Sequence, residues 1–243
     1  MTCAMLSPTQ ITSFDLDKLN QRFETAHPQE ILAWCLENIP NGLVQTTAFG
    51  IAGMVIIDIV YRILSPQFPV PVLFLDTLHH FPQTLEFVQK AQSVYKLDLH
   101  VYKTLEANSR EEFAVRYGYE LWHKDIEKFH YLTKVEPLQR GLSELNAVAW
   151  INGRRRDQAQ TRANISVFEL DQRGRMKINP LASWTCQQTW AYAIEHNVIY
   201  HPLHDRGYGS IGDEPLTTPI AEGEHERAGR WRGTGKTECG IHL

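Results

Sequence analysis

Three short apolar and β-branched runs, Leu43 to Phe49, Val70 to Leu75 and Ala147 to Ile151, each end in residues that cannot continue a buried strand. Gly50 breaks the first, Asp76-Thr77 closes the second, and Asn152-Gly153-Arg154-Arg155-Arg156 follows the third. Runs of this kind are what parallel strands covered on both faces require. Between them the pattern becomes helical. Ile31 to Ile39 reads as the end of an amphipathic helix stopped by Pro40-Asn41-Gly42, Ala52 to Leu64 is apolar all round, and Pro82 starts a helix running to about Tyr95. Leu97 to Tyr102 adds a strand and Glu111 to Trp122 a helix. Strands alternating with helices predict an α/β fold with a doubly wound, mostly parallel sheet. Ligands bind such sheets outside the carboxyl ends of the strands, where the Gly50 loop, Asp76-Thr77 and the Arg154 cluster all fall.

The later part is less regular. Val167 to Leu170 and Met176 to Ile178 flank Asp171-Gln172-Arg173-Gly174, a hairpin signal, and Thr185 with Gln188 forms a capping box for a helix to about His196. From His201 onward glycine, proline and charge dominate, which predicts a loop-rich lid. The chain of 243 residues divides into an N-terminal extension (1–25), an α/β domain (26–205) and a flexible C-terminal tail of the same domain (206–243). No secretory start pattern and no run of ~20 apolar residues occurs, so the expected location is cytoplasmic, with no membrane partner. A net charge of −4 argues against a nucleic-acid coat, and the Arg154 to Arg162 stretch lacks the interleaved aromatics of an RNA-binding face. An anionic ligand must therefore be held by local cation clusters. Arg154, Arg155 and Arg156 form one, with Arg162 beyond them, and guanidinium forks suit phosphate or sulfate oxygens.

Four cysteines, Cys3, Cys35, Cys186 and Cys239, stand far apart with no Cys-x-x-Cys among them, so neither a local metal site nor a disulfide framework is indicated. His79-His80, and His201 with His204 and Asp205, tempt a metal reading, but such spacings close a zinc shell only with ligands from elsewhere. Cys35 and Cys186 fall in helical patterns that packing explains. Cys239 does not: it is the fifth residue from the end, among glycines at 229, 233, 235 and 240, downstream of Arg227, Arg230, Arg232 and Lys236. Such cations favour a thiolate over a thiol, and glycines let the segment move.

With these residues in view, the chain resembles the assimilatory sulfonucleotide reductases. The resemblance runs from about residue 25 to the end through Thr47-Ala48-Phe49-Gly50-Ile51, Leu75-Asp76-Thr77, Lys134-Val135-Glu136-Pro137-Leu138, Gly153-Arg154-Arg155, Lys177-Ile178-Asn179-Pro180-Leu181 and Gly207-Tyr208-Gly209-Ser210-Ile211-Gly212-Asp213. It closes with Glu226-Arg227-Ala228-Gly229-Arg230-Trp231 and Lys236-Thr237-Glu238-Cys239-Gly240-Ile241-His242. Separated motifs in one order are far more specific than a lone glycine loop. The resemblance implies a sheet related to the ATP pyrophosphatase (adenine nucleotide alpha hydrolase-like) fold. Where that fold has Ser-Gly-Gly-x-Asp-Ser, this chain has Thr46-Thr47-Ala48-Phe49-Gly50-Ile51, a loop that can hold an anion on backbone N–H groups while ATP cleavage falls into doubt.

The iron–sulfur branch of that family carries a Cys-Cys pair and a later Cys-x-x-Cys, and the matching positions here are Phe129-His130 and Asp213 with Leu216. The resemblance is therefore to the cluster-free branch that reduces 3'-phosphoadenylyl sulfate (PAPS), with a cluster-free adenylyl sulfate (APS) reductase as the alternative. A sulfate adenylyltransferase subunit shares the sheet but has no need of Cys239. The resemblance implies Cys239 as nucleophile, with no iron–sulfur cluster, no metal and no bound cofactor. Lys134, Arg162, Arg227 and Arg230 would bind the phosphosulfate, Arg155 would also bind substrate, and Thr47, Phe49, Gly50, Leu75, Asp76 and Thr77 would hold the adenosine. It also implies reduced thioredoxin as electron donor, with glutaredoxin as the other candidate, and a homodimer.

Overall fold

A computed structural model describes residues 14–67 and 69–241. Cys3 and His242 lie outside the described residues, as does most of the proposed N-terminal extension. The helices are α1 (Leu16–Phe23), α2 (Pro28–Asn38), α3 (Ile51–Ile57), α4 (Pro82–Tyr95), α5 (Arg110–Tyr117), α6 (Leu121–Lys124), α7 (Ile126–His130), α8 (Glu136–Glu144) and α9 (Cys186–Glu195). The strands are β1 (Leu43–Thr46), β2 (Val72–Leu75), β3 (Leu99–Tyr102), β4 (Ala149–Ile151), β5 (Phe168–Leu170) and β6 (Met176–Ile178). They form one sheet in the order β3-β2-β1-β4-β6-β5, every pair parallel except the β5–β6 hairpin. The chain winds outward from β1 through β2 to β3, then returns to place β4 on β1's other side. The switch point is the β1/β4 boundary, and a crevice opens beyond its carboxyl edge.

Core burial follows the apolar runs. Val44, Val72, Leu73, Ala149, Trp150, Ile151, Met176 and Ile178 are buried, and α3 buries every one of its residues. Beyond Ile57 that helix widens to π geometry through Leu64, ending where Ser65 N donates to Val60 O across five residues at 2.9 Å. The hairpin turns at Gly174, whose φ of +76° suits glycine. Thr185 and Gln188 make both halves of the capping box on α9.

Two expectations need correction. The strands are shorter than the apolar runs, β1 ending at Thr46 and β4 starting at Ala149. The helix expected over Glu111 to Trp122 is two helices, because Gly118 ends α5 with φ +98°, and Trp122 belongs to α6. The tail is docked: Thr217 and Arg230 form an antiparallel bridge, and Trp231 is buried with its N donating to Leu216 O at 2.9 Å.

Several imidazoles are buried beneath this surface. Burial, then the cations Lys134, Lys236 and Arg230, push His130 down to about 3, although Asp213 pulls the other way; burial likewise pushes His201 down to about 4. Both ring nitrogens of His130 lack hydrogen-bond partners, as expected of a neutral ring held by packing. Such a group takes up protons on unfolding, so its contribution to stability is complete above about pH 6.5 and falls away as the pH drops below it. For His130 this amounts to roughly 2 kcal/mol by pH 5. Thermal unfolding of wild type should therefore occur at lower temperature at pH 5 than at pH 7. His130→Leu should show a smaller drop, and an unchanged drop would show that His130 does not carry this loss.

Candidate active site

The crevice at the switch point is lined from three strand ends and closed by the tail. Thr46, Thr47, Gly50 and the first residues of α3 come from the β1 loop, Leu75 and Thr77 from the β2 loop, and Asn152 to Arg155 from the β4 loop. Arg227, Arg230, Cys239 and Ile241 form the roof. Close backbone approach sets the floor: a Cβ on Gly153 would stand 3.0 Å from Ala52 Cβ and 3.2 Å from Gly53 N. Gly50 precedes α3 with no side-chain cap, so the first-turn N–H groups remain available to an anion.

Six cationic side chains meet here, and most are neutralised from within the chain. Lys134 sits in the π turn that joins α7 to α8 and hydrogen-bonds Asp213 in a buried pair. Burial opposes the charge on Asp213, but Lys134, then His80 and Arg230, hold its carboxyl well below the usual carboxylate range. Arg154 donates to Glu169 at 2.9 Å, and Arg155 donates to Asp157 at 2.9 Å and to both oxygens of Glu226 at 2.9 and 2.8 Å. Arg162 holds Glu238 with two bonds of 2.6 Å.

The two tail arginines have weaker partners. Arg227 donates to Thr237 O at 3.1 Å, with Glu238 3.6 Å away, and Arg230 donates to Ser210 Oγ at 3.3 Å and Ile211 O at 3.2 Å, leaving Nε unpartnered. Both guanidinium groups stack on Trp231, with carbons 5.2 and 4.4 Å from its ring centre. Arg230 also lies across Gly212, where a Cβ would come within 2.1 Å of its Nη2. Burial, then Arg162 and Arg230, push Arg227 down to about 10, while burial lowers Arg230 despite the opposing charge of Asp213. Desolvated, mutually repelling and weakly paired cations are what an incoming anion relieves.

Thr47, Gly50, Leu75, Thr77, Lys134, Arg155, Arg162, Arg227, Arg230 and Cys239 all line this crevice. Phe49 and Asp76 do not. The Phe49 ring is fully buried against Phe74 at 5.5 Å, because core burial is worth about 2 kcal/mol that a loop position would forgo, and its N–H donates to Thr47 Oγ1. Asp76 accepts from Leu78 N at 2.9 Å and so builds the turn after β2. Sequence reasoning missed Glu238 and Glu226, whose only visible signal was their place in the arginine- and cysteine-bearing tail motifs. Phe129, His130 and Leu216 pack beside Trp231 around that tail. His79 sits in a cage of Phe113, Trp122 and Phe129 rings, and among the described residues no group of His, Cys, Asp and Glu is arranged to hold a metal ion.

A family model described as the phosphoadenosine phosphosulfate reductase domain matches residues 42–219. The chain belongs to the phosphoadenosine phosphosulfate reductase family. It is 45% identical over 229 residues to the phosphoadenosine phosphosulfate reductase of Emericella nidulans, covering 93% of this chain and 74% of that protein. Identity to the Saccharomyces cerevisiae reductase is also 45%, over 238 residues, with 96% and 91% covered. The adenosine 5'-phosphosulfate reductase of Halalkalibacterium halodurans is 38% identical over 235 residues, with 96% and 99% covered. The crystal structure of the Candida auris PAPS reductase in a phosphate complex superposes with a TM-score of 0.75 at 41% identity, covering 88% of this chain and 99% of that one. At 14% identity, Candida glabrata FMN adenylyltransferase shares the fold alone, with a TM-score of 0.59 over 87% of this chain and 71% of that one. These likenesses agree with the mostly parallel α/β sheet expected from the sequence.

The Lys134–Asp213 pair is the family site's most buried charge contact. Asp213→Asn leaves a buried ammonium unpaired and should cost about 3–5 kcal/mol in denaturant unfolding. Adding Lys134→Met should recover part of that loss. Wild-type stability in Asp213→Asn would show that the pair does not set the geometry here.

Proposed function

We propose that this protein reduces 3'-phosphoadenylyl sulfate to sulfite and adenosine 3',5'-bisphosphate in sulfate assimilation, through a cysteine S-sulfonate on Cys239. One observation carries the reading: Cys239 lines the same crevice as Lys134, Arg155, Arg162, Arg227 and Arg230, so a thiol on a loop faces an anion-binding cluster at a nucleotide-type switch point. The Cys239 thiolate attacks the sulfuryl sulfur, the sulfur–oxygen bond to the phosphate breaks, and the nucleotide leaves with the electron pair. Cations around the bridge oxygen stabilise the charge that develops there. A thiolate of reduced thioredoxin, or of glutaredoxin, then attacks Cys239 Sγ and expels sulfite. Its second thiol resolves the mixed disulfide, restoring Cys239 and leaving the carrier oxidised by two electrons.

The other described cysteines suit packing roles. Burial pushes Cys35 well above the usual thiol range and, with Glu226 adding to it, pushes Cys186 up to about 12. Adenosine is assigned to the Gly50 loop and to Leu75 and Thr77. No helix of the described residues is long and apolar enough to cross a membrane, and the reading places the enzyme in the cytoplasm, as a homodimer on family resemblance.

Cys239→Ser should abolish sulfite release while adenosine 3',5'-bisphosphate still binds by calorimetry. Retained turnover would refute the nucleophile. Wild type should turn over PAPS in preference to APS and purify colourless without iron; stoichiometric iron with visible absorption would overturn the branch assignment.

A further inference from the structure

Arg162 spends three of its five N–H donors on partners within the chain, including the whole Nε–Nη2 edge. Its Nε and Nη2 each hold one oxygen of Glu238 at 2.6 Å, and its Nη1 reaches Gln158 Oε1 at 2.5 Å. Thr161 Oγ1 donates to the same carboxylate at 3.1 Å, and Arg227 Nη2 stands 3.6 Å from it. Burial opposes ionisation of Glu238, but the bonds and charge of Arg162, then Arg227, hold its carboxyl below the usual range. A carboxylate gripped edge-on by a guanidinium fork presents two oxygens much as a sulfuryl or phosphoryl group does.

The other carboxylates of the crevice come from segments tied to the fold. Glu169 lies on β5, Asp213 has its N-terminal neighbours under Arg230 and its own carbonyl bonded to Thr217 Oγ1, and Glu226 sits in a turn whose backbone packs over Gly209 and which runs into the Thr217–Arg230 bridge. Glu238 instead belongs to a stretch without helix or strand, next to Cys239, whose other polar ties are Arg227 to Thr237 O and Lys236 to Glu127 at 2.6 Å. It is the anion best placed to leave.

We propose that Glu238 is a positioning residue that stands in for a substrate oxyanion: in the empty enzyme it occupies the Thr161–Arg162–Arg227 subsite and latches the Cys239 tail, and an incoming sulfuryl or phosphoryl group displaces it. This rests on the reading of the crevice as the sulfonucleotide site, yet the exchange itself needs only an oxyanion. Occupancy of the subsite and the Glu238 latch are linked, so whatever fills the subsite releases the latch and loosens Cys239 over the crevice, and whatever removes the carboxylate strengthens binding.

The test is the alkylation rate of Cys239 by iodoacetamide, read by peptide mass spectrometry in the full-length protein without nucleotide, with sodium sulfate compared to sodium chloride at equal ionic strength. In wild type, sulfate should speed alkylation about fivefold over chloride. Glu238→Gln should alkylate fast in both salts, and the loss of the sulfate response separates release of the tail from a simple change in local charge. The same variant should bind adenosine 3',5'-bisphosphate about fivefold more tightly than wild type. Equal rates in the two salts for wild type, or a sulfate response retained by Glu238→Gln, would overturn the proposal. A lost sulfate response with no nucleotide binding by either protein would uphold the latch and sink the assigned substrate instead.

Discussion

Cations cannot be packed into one crevice without anions, and that constraint organises this molecule. Lys134, Arg154, Arg155 and Arg162 each draw a carboxylate from a distant part of the chain, so Asp213, Glu169, Glu226 and Glu238 fasten the sheet, the lid and the tail to one another. Removing one partner leaves an uncompensated charge in a poorly solvated place, which costs far more than an exposed ion pair is worth. Arg227 and Arg230 are the exception. They sit on the tail, share Trp231 as an apolar backing, and have their cationic forms weakened by burial. The site is thus assembled short of negative charge where the thiol arrives.

The sheet puts this chemistry where it is. Because β4 pairs with β1 on the side opposite β2, the connections leaving the two strands diverge and their loops open a crevice. Gly153 against the start of α3 narrows its floor, and Gly212 under Arg230 lets the roof come down. Where the iron–sulfur branch of the family would carry cysteines, Phe129, His130 and Leu216 pack with Trp231, and Asp213 anchors Lys134. The same positions therefore support the tail by packing and one ion pair.

Much of this was legible in the residues. Apolar runs ending in Gly50, Asp76-Thr77 and Asn152-Gly153 located three strand ends and hence the crevice, because a buried parallel strand leaves a simple pattern. The β5–β6 hairpin and the capping box of α9 were equally plain, being set by neighbours within a few residues. What was hidden depended on distant partners. Phe49 sits in a loop motif, yet its ring turns to the core against Phe74. Residues 126–144 form helices and a π turn that no clean periodicity announces, so only its motif pointed to Lys134. Glu238 pairs with a residue 76 positions away, and no local rule points to that.

The central claim is that a thiol on the docked tail accepts an SO3 group from a nucleotide. Its most direct measurement is mass spectrometry of the protein mixed with each sulfonucleotide and no reductant. The account predicts one added SO3, confined to the peptide containing Cys239 and formed from 3'-phosphoadenylyl sulfate in preference to adenylyl sulfate. An unmodified Cys239 in a protein that still releases sulfite once thioredoxin is added would contradict it.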